Sequence, residues 1–268
     1  MKEMKILISN DDGIYARGVV EAANRLVELG HSVTVVAPDR ERSGAGQSID
    51  TSMLRVKGGR FPGFDERVRA FKCTGTPSDC VTLGLEKIFP EAEMVLSGVN
   101  NGPNLGCDVY YSGTVGAARE GYFGDRFSVA LSLDVSEEQR SMDDERYETA
   151  LYVIEWVLDN IDILSGGETN KGALLNINIP NVPLRDIKGF RMAAAGRRRY
   201  RDRVSEYHAP GGLGYWIRGL PVDEEEHEGS DVRAVRDGYV ALSFLRHDTT
   251  DHERNSRLDA ATISDFCE

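Results

Sequence analysis

MKILISNDDG, residues 4–13, is a short apolar run that breaks abruptly into Asn10, Asp11, Asp12 and Gly13. Such a run reads as a first β-strand, and the polar residues then fall at its carboxyl end, the edge of an α/β sheet where ligands bind. Dinucleotide-binding folds usually place glycines there to bring backbone amides against a phosphate. Two adjacent carboxylates would instead repel a phosphate arriving alone, and a divalent cation removes that conflict. The stretch therefore predicts an α/β fold and metal-dependent chemistry on an anionic substrate.

Outward from this stretch the chain alternates between strand and helix. Val19, Ala23, Leu26 and Val27 share a helical face, with Gly30 as the stop, and Ser32 to Ala37 forms a second strand closed by Pro38. The loop DRERSGAGQS, residues 39–48, then leaves on the same edge as SNDDG if the strands are parallel. Residues 52–72 read as a β excursion turning at Gly58 and Gly59, and Thr76, Pro77 and Asp79 open a helix with a capping box that runs to about Phe89. A third parallel strand, Met94 to Leu96, ends in a glycine-rich polar segment, SGVNNGPNLGCDVYYSGTVGAAREG. Phe127 to Leu133 and Ala173 to Ile179 are further strands. Between them a helix from Asp143 to Ile161 carries Tyr147, Ala150, Leu151, Ile154, Val157, Leu158 and Ile161 on one face. Beyond Pro180 the rhythm shortens to strand-like pieces at Phe190 to Ala195, Tyr215 to Gly219 and Tyr239 to Leu245. The expectation is an α/β domain over 1–180 with a mostly parallel sheet, and a β-rich extension over 181–268 packed on the same domain and used in association.

Composition narrows the function classes. A formal charge of −12 over 268 residues argues against a nucleic-acid-binding surface, which needs clustered Lys and Arg. Cys73, Cys80, Cys107 and Cys267 form no CxxC pair, so neither a zinc knuckle nor a redox dithiol is indicated, and reduced cytoplasmic thiols are expected. No apolar leader precedes SNDDG and no stretch is long enough to span a membrane, so a soluble, unexported protein is expected.

Four segments carry candidate chemistry. Asp11 and Asp12 could simply form an Asx turn or a cap, but two successive carboxylates at a strand end suit a hard cation, Mg²⁺, Mn²⁺ or Ca²⁺. Asn10 beside them could contact phosphate or brace the aspartates. In the second loop, Ser43 with Gly44 and Gly46 reads alone as a flexible connector, and as a partner of SNDDG as a metal or phosphate ligand; it is neither a Walker A loop nor GxGxxG. The third segment offers Asn100, Asn101 and Asn104 as neutral ligands, and then Ser112, Gly113 and Thr114 open a helix whose N-terminus is either an ordinary cap or an anion site. GRRRYRDR, with Arg197, Arg198, Arg199, Arg201 and Arg203, is either a solvated, ion-paired run or a lure for a polyanion.

Taken together, SNDDG, VVAPDRERSGAGQS, GTPSDCV, SGVNNGPNLG and YSGTVGAAREG resemble, in order and spacing, the survival protein SurE family of metal-dependent nucleotidases. INIP, GRRRY and DVRAVRDGYVALSFL are similar to later family segments, so the resemblance spans most of the chain; it departs near the end, where VALSFLRHD replaces a VSxTPL-type segment. The resemblance implies a Rossmann-like three-layer α/β/α domain and one divalent metal ion per subunit. It implies hydrolysis of nucleoside monophosphates to nucleoside and phosphate by a 5′-nucleotidase, with 3′-monophosphates and short polyphosphate as further substrates. It places the metal ligands on Asp11, Asp12, Ser43 and Asn100. The substrate contacts become Asn10, Gly44, Asn104, Ser112, Gly113 and Thr114, and the assembly a homodimer or homotetramer without nucleic acid or membrane partners.

On this reading the metal or one of the aspartates activates water, and an aspartyl-phosphate intermediate is the less favoured route. Two rivals stand beside it. An aspartate-nucleophile phosphatase would show DxD spacing, which is missing here, and a nucleotide-binding regulatory module would bind without releasing phosphate.

Overall fold

The structure, a computed structural model, describes residues 2–135, 145–167, 172–201, 204–217, 219–222 and 227–256. The expected helix start at Asp143, Arg203 of the basic run and Cys267 lie outside the described residues.

The first strand, β1 (Lys5–Ser9), is followed by α1 (Arg17–Glu28) and β2 (Ser32–Pro38). Helix α1 turns Val19, Ala22, Ala23, Leu26 and Val27 inward. It ends in a Schellman motif, with Gly30 at φ +88° donating to the Val27 carbonyl and His31 to that of Leu26, each at 3.0 Å. Next come β3 (Val56–Gly59) and β4 (Arg69–Cys73), which pair antiparallel. Gly58 and Gly59 therefore lie inside a strand, contrary to the turn expected of them. A Cβ at Gly58 would sit 2.7 Å from the Phe71 ring, so the glycine makes room for that side chain.

Helix α2 (Pro77–Leu83) starts as the capping box predicts: Asp79 donates its N–H to Thr76 Oγ1 at 3.1 Å, and Thr76 donates its own to Asp79 Oδ2 at 2.8 Å. It passes into a π-helical turn over Gly84–Ile88. Then follow β5 (Met94–Asn101), α3 (Gly113–Phe123), β6 (Phe127–Asp134), α4 (Glu145–Asp159), α5 (Ile161–Leu164) and β7 (Ala173–Pro180). Past Pro180 the chain adds β8 (Phe190–Met192), β9 (Arg199–Arg201), β10 (Val204–Ala209), β11 (Gly212–Ile217), β12 (Leu220–Val222), α6 (Asp231–Arg236) and β13 (Val240–Leu245).

Nine strands form one sheet in the order β3-β4-β2-β1-β5-β6-β7-β13-β8. From β4 to β7 every neighbouring pair is parallel, and β13 enters antiparallel to β7. Side-chain alternation divides the core. Ile6, Ile8, Met94, Leu96, Val129 and Leu131 face the layer of α1 and α4, while Leu7, Val36 and Val95 pack with Cys80 and Val81 of α2. Both sheet faces are covered, which explains why the central strands read as continuous apolar runs. The result is a Rossmann-like three-layer α/β/α fold with extra β structure toward the C-terminus. Two small ribbons, β10–β11 and β9–β12, stand apart from the main sheet. Among the described residues, no helix is long and apolar enough to cross a membrane.

Candidate active site

The carboxyl ends of β1, β2 and β5 converge, because β1 pairs in parallel register with both neighbours. Just past β1, Asn10 is fully buried; its Nδ2 donates to the Gly13 carbonyl at 3.0 Å and its Oδ1 accepts the Gly13 N–H at 3.2 Å. Asn10 thus braces the turn that carries the two aspartates. Gly13 has φ +94°, and a Cβ there would meet the Arg40 backbone at 3.0 Å. The second loop is held against the first: Arg42 donates its N–H to the Asp11 carbonyl at 2.7 Å and its Nη2 to the Thr74 carbonyl at 2.5 Å.

Asp11 is 5% exposed, and its Oδ1 accepts a 2.5 Å hydrogen bond from Thr114 Oγ1 in the first turn of α3. Burial pushes its carboxyl above the usual range, Glu41 adds to that effect, and the Thr114 hydroxyl and backbone N–H oppose it. Among the described residues no cationic side chain is paired with it. Gly113 allows the close approach, since a Cβ there would lie 2.8 Å from Asp11 Cβ and 3.0 Å from its Oδ2. Asp12 is the more accessible of the two acids, and its Oδ2 accepts from the Asn101 N–H at 3.4 Å.

Asn100 lies on β5 itself, just after a register irregularity between Ser97 and Asn100, so SGVNN is strand where a loop was expected. Its Nδ2 donates to the Gly102 carbonyl at 2.6 Å, and its Oδ1, an acceptor, has no partner among the described residues and is open to a cation. The irregularity is held by glycine: a Cβ on Gly18 of α1 would fall 2.0 Å from the Val99 carbonyl oxygen. Ser43 is exposed and donates to Glu41 Oε1 at 2.7 Å, so as a cation ligand it would exchange that partner. Gly44, at φ +75° and exposed, has open space around it. The far end of this loop is clamped to α3, where a Cβ on Gly116 would meet the Gly46 carbonyl oxygen at 2.6 Å.

Ser112 is the N-cap of α3, accepting from the Val115 N–H at 3.0 Å, and Thr114 spends its hydroxyl on Asp11. The Thr114 side chain therefore serves the scaffold, whereas Ser112, which accepts through Oγ, keeps its own hydroxyl proton to donate, beside the backbone N–H groups of this turn. Asn104 is also committed. Its backbone N–H donates to Asn178 Oδ1 at 2.8 Å, its Nδ2 donates to Ser132 Oγ at 2.8 Å, and its carbonyl accepts from Asn176 and Asn178. Asn104 anchors the glycine-rich segment to β6 and β7.

Sequence reasoning passed over Asn176 and Asn178, although asparagine at alternate positions of an otherwise apolar strand signals one buried polar face. It also passed over Asp231. Fully buried at the start of α6, Asp231 accepts from the Gly106 N–H at 2.9 Å and the Gly196 N–H at 2.8 Å, joining the site loop to the basic run. Within that run Arg198 pairs with Asp108 at 2.8 Å and its side chain is 8% exposed, so it is structural rather than solvated.

The donor set suits a hard cation. Four oxygen-bearing residues stand on three neighbouring segments, and the buried Asp11 carboxylate has no cationic partner among the described residues. No group of three or more His, Cys, Asp or Glu is placed to hold a metal among the described residues, so a cation here would draw on two carboxylates and neutral oxygens.

Residues 6–202 match the family model described as survival protein SurE. The chain belongs to the survival protein SurE family. Among its SurE relatives, a 5′-nucleotidase SurE of Synechococcus elongatus is 42% identical over 265 residues, covering 96% of this chain and 98% of the relative. A 5′-nucleotidase SurE of Alkaliphilus metalliredigens is 35% identical, covering 95% and 97%. The crystal structure of the SurE protein from Aquifex aeolicus superposes with a TM-score of 0.74 at 36% identity, covering 94% of this chain and 97% of that one. In this SurE chain, SNDDG, the Ser43 loop and the SGT helix start lie together at the sheet's carboxyl edge, joined through the Asp11 carbonyl and carboxylate.

Proposed function

We propose that the chain is a divalent-metal-dependent 5′-nucleotidase that hydrolyses nucleoside monophosphates to nucleoside and phosphate. The observation that carries this reading is the buried Asp11 carboxylate, without a cationic partner among the described residues, set against the N-terminus of α3. Asp11, Asp12, Ser43 and Asn100 are the residues that would hold Mg²⁺ or Mn²⁺, with Ca²⁺ as an alternative. When bound, such an ion supplies a Lewis acid that offsets phosphoryl charge and makes water more acidic.

The chain's own residues do the rest. The Gly113 backbone N–H favours a phosphate oxygen at the positive end of α3. Thr114 orients Asp11 and favours its charged form. Asp12, the more accessible acid, takes the proton of the attacking water on its carboxylate. The buried Asn104–Asn176–Asn178–Ser132 network keeps the glycine-rich wall from shifting as charge moves.

The exposed apolar side chains Tyr207, Leu213, Tyr215, Trp216 and Ile217 on β10 and β11 support a homo-oligomer, dimer or tetramer. The free thiols of Cys73, Cys80 and Cys107 support a cytoplasmic location.

The test is phosphate release from 5′- and 3′-monophosphates and short polyphosphate with Mg²⁺, Mn²⁺ or EDTA, comparing wild type with Asp11→Asn. Metal-dependent release that disappears in the variant is expected, and the panel ranks the substrates. A folded protein that binds nucleotide and releases nothing would replace this reading with the binding-module one.

A further inference from the structure

Cys73 and Cys80 form no CxxC, so their spacing conceals a contact that the fold creates. Cys73 is the last residue of β4 and Cys80 lies in the middle of α2, and both are fully buried in one apolar cluster. The Cys80 thiol donates to the Cys73 sulfur, which also accepts the Gly75 N–H at 3.3 Å. The Cys80 hydrogen bond, helped by that of Gly75, brings the Cys73 thiol down to about 7 against burial and the nearby Asp79 and Asp39 carboxylates. Burial and the same bond push the Cys80 thiol up. One sulfur is thus the nucleophile and its neighbour the proton donor, the pairing of an attacking and a resolving thiol. The neighbouring cover is thin. Half-buried Leu54 packs on the cluster, and residues 49–53 before it and all of β3 after it are exposed.

The segment joining the two cysteines is where the Ser43 loop is held. The Cys73 carbonyl accepts the Asp39 N–H at 2.8 Å, and the Thr74 carbonyl accepts Arg42 Nη2 at 2.5 Å. Asp79 accepts the Asp50 N–H at 3.2 Å from the far end of the same loop. Pro77, which opens α2, faces the start of α3: a Cβ on Gly113 would lie 3.1 Å from Pro77 Cγ. A shift of residues 74–79 therefore reaches both Ser43 and the N-terminus of α3.

We propose that Cys73 and Cys80 are a modification site, a dithiol that hydrogen peroxide closes to a reversible disulfide, and that closure displaces the Ser43 loop and lowers turnover. The Cys73 sulfur attacks one peroxide oxygen, the O–O bond breaks, and the departing hydroxide takes a proton to become water, leaving a sulfenic acid. The Cys80 sulfur then attacks the Cys73 sulfur, the S–O bond breaks, and a second water leaves with the Cys80 proton. The two sulfurs lose two electrons and the peroxide gains them. The new bond draws the sulfurs from hydrogen-bonding contact to about 2 Å, and the segment between them must follow.

The test treats the full chain with hydrogen peroxide, alkylates the remaining thiols in denaturant and maps the tryptic peptides by mass; residues 73–87 form one such peptide. That peptide is expected to lose the mass of two hydrogens and escape alkylation, dithiothreitol to reverse the change, and Cys107→Ser to leave it intact. Phosphate release from adenosine 5′-monophosphate should fall about ten-fold in the oxidised protein and return with dithiothreitol. Cys73→Ala, or Cys73→Ser if the alanine variant does not fold, should keep its rate under peroxide. Alkylation of both cysteines after peroxide overturns the site. A disulfide that leaves phosphate release unchanged overturns its coupling to the Ser43 loop. A protein that forms the disulfide and releases no phosphate even when reduced overturns the nucleotidase reading and leaves the modification site standing.

Discussion

The Thr114 hydroxyl donates a 2.5 Å hydrogen bond to Oδ1 of Asp11 across 103 positions of chain, joining the turn after β1 to the first turn of α3. Both partners are buried, so the bond fixes the carboxylate's orientation where water cannot substitute for it.

Thr114→Val keeps the shape and removes the donor. Loss of such an orienting partner is expected to lower kcat about 10- to 100-fold, while Thr114→Ser retains most activity. Steady-state kinetics beside a thermal melt would separate this from unfolding, and a fully active Val variant would remove Thr114 from the site's working parts.

Asp11→Asn removes a buried charge that has no cationic partner among the described residues. The metal-free variant is expected to melt at or above the wild-type temperature, because burial disfavours the carboxylate. Wild type in excess Mn²⁺ should gain stability, about 2.7 kcal/mol at a hundred times Kd, and the variant should lose that gain. Equal Mn²⁺ shifts in both proteins, read by scanning calorimetry, would dismiss Asp11 as a ligand.

Gly18→Ala places a methyl group 2.0 Å from the Val99 carbonyl oxygen, a backbone atom that cannot rotate away. Overpacking of this kind costs about 1–3 kcal/mol or more. The melting temperature should fall, and activity should drop in the fraction that remains folded, since the same backbone irregularity presents Asn100. An unchanged melting temperature and turnover would contradict this packing.

His31 accepts the Met4 N–H on Nδ1 at 3.2 Å, and its buried Nε2 has no partner among the described residues. Burial, followed by the positive chain terminus, lowers its pKa below the ordinary value of 6.5. The unfolded chain then binds the proton more tightly than the fold does. Stability from this residue is full above about pH 6.5 and declines as pH falls toward the folded value. Urea midpoints at two pH values should therefore converge in His31→Asn relative to wild type; an identical pH slope in both would assign the acid sensitivity to other groups.

The alternation of strand and helix was legible because apolar periodicity is local, and so was the α2 capping box, whose partners are three residues apart. Gly58 fits a turn by residue type because glycine serves both turns and tight strand packing, and only Phe71 on the neighbouring strand decides which. Asn10 and Asn104 suit a substrate contact by residue type alone. The Asn10 side chain bonds Gly13, three residues on, whereas the Asn104 side chain donates to Ser132 and its backbone N–H to Asn178, partners that only the fold supplies.

The sequence by itself determined that a parallel α/β sheet forms, that two carboxylates stand at its carboxyl edge, and which family the motifs resemble, since each follows from residue type and short-range spacing. Only the tertiary structure decided that Asp11 is buried against Thr114, that Asp231 ties Gly106 to Gly196, that β13 enters the sheet antiparallel to β7, and that Arg198 closes on Asp108. Those pairings bring together residues far apart in the chain. Their burial, partners and charge balance arise only when several elements pack at once.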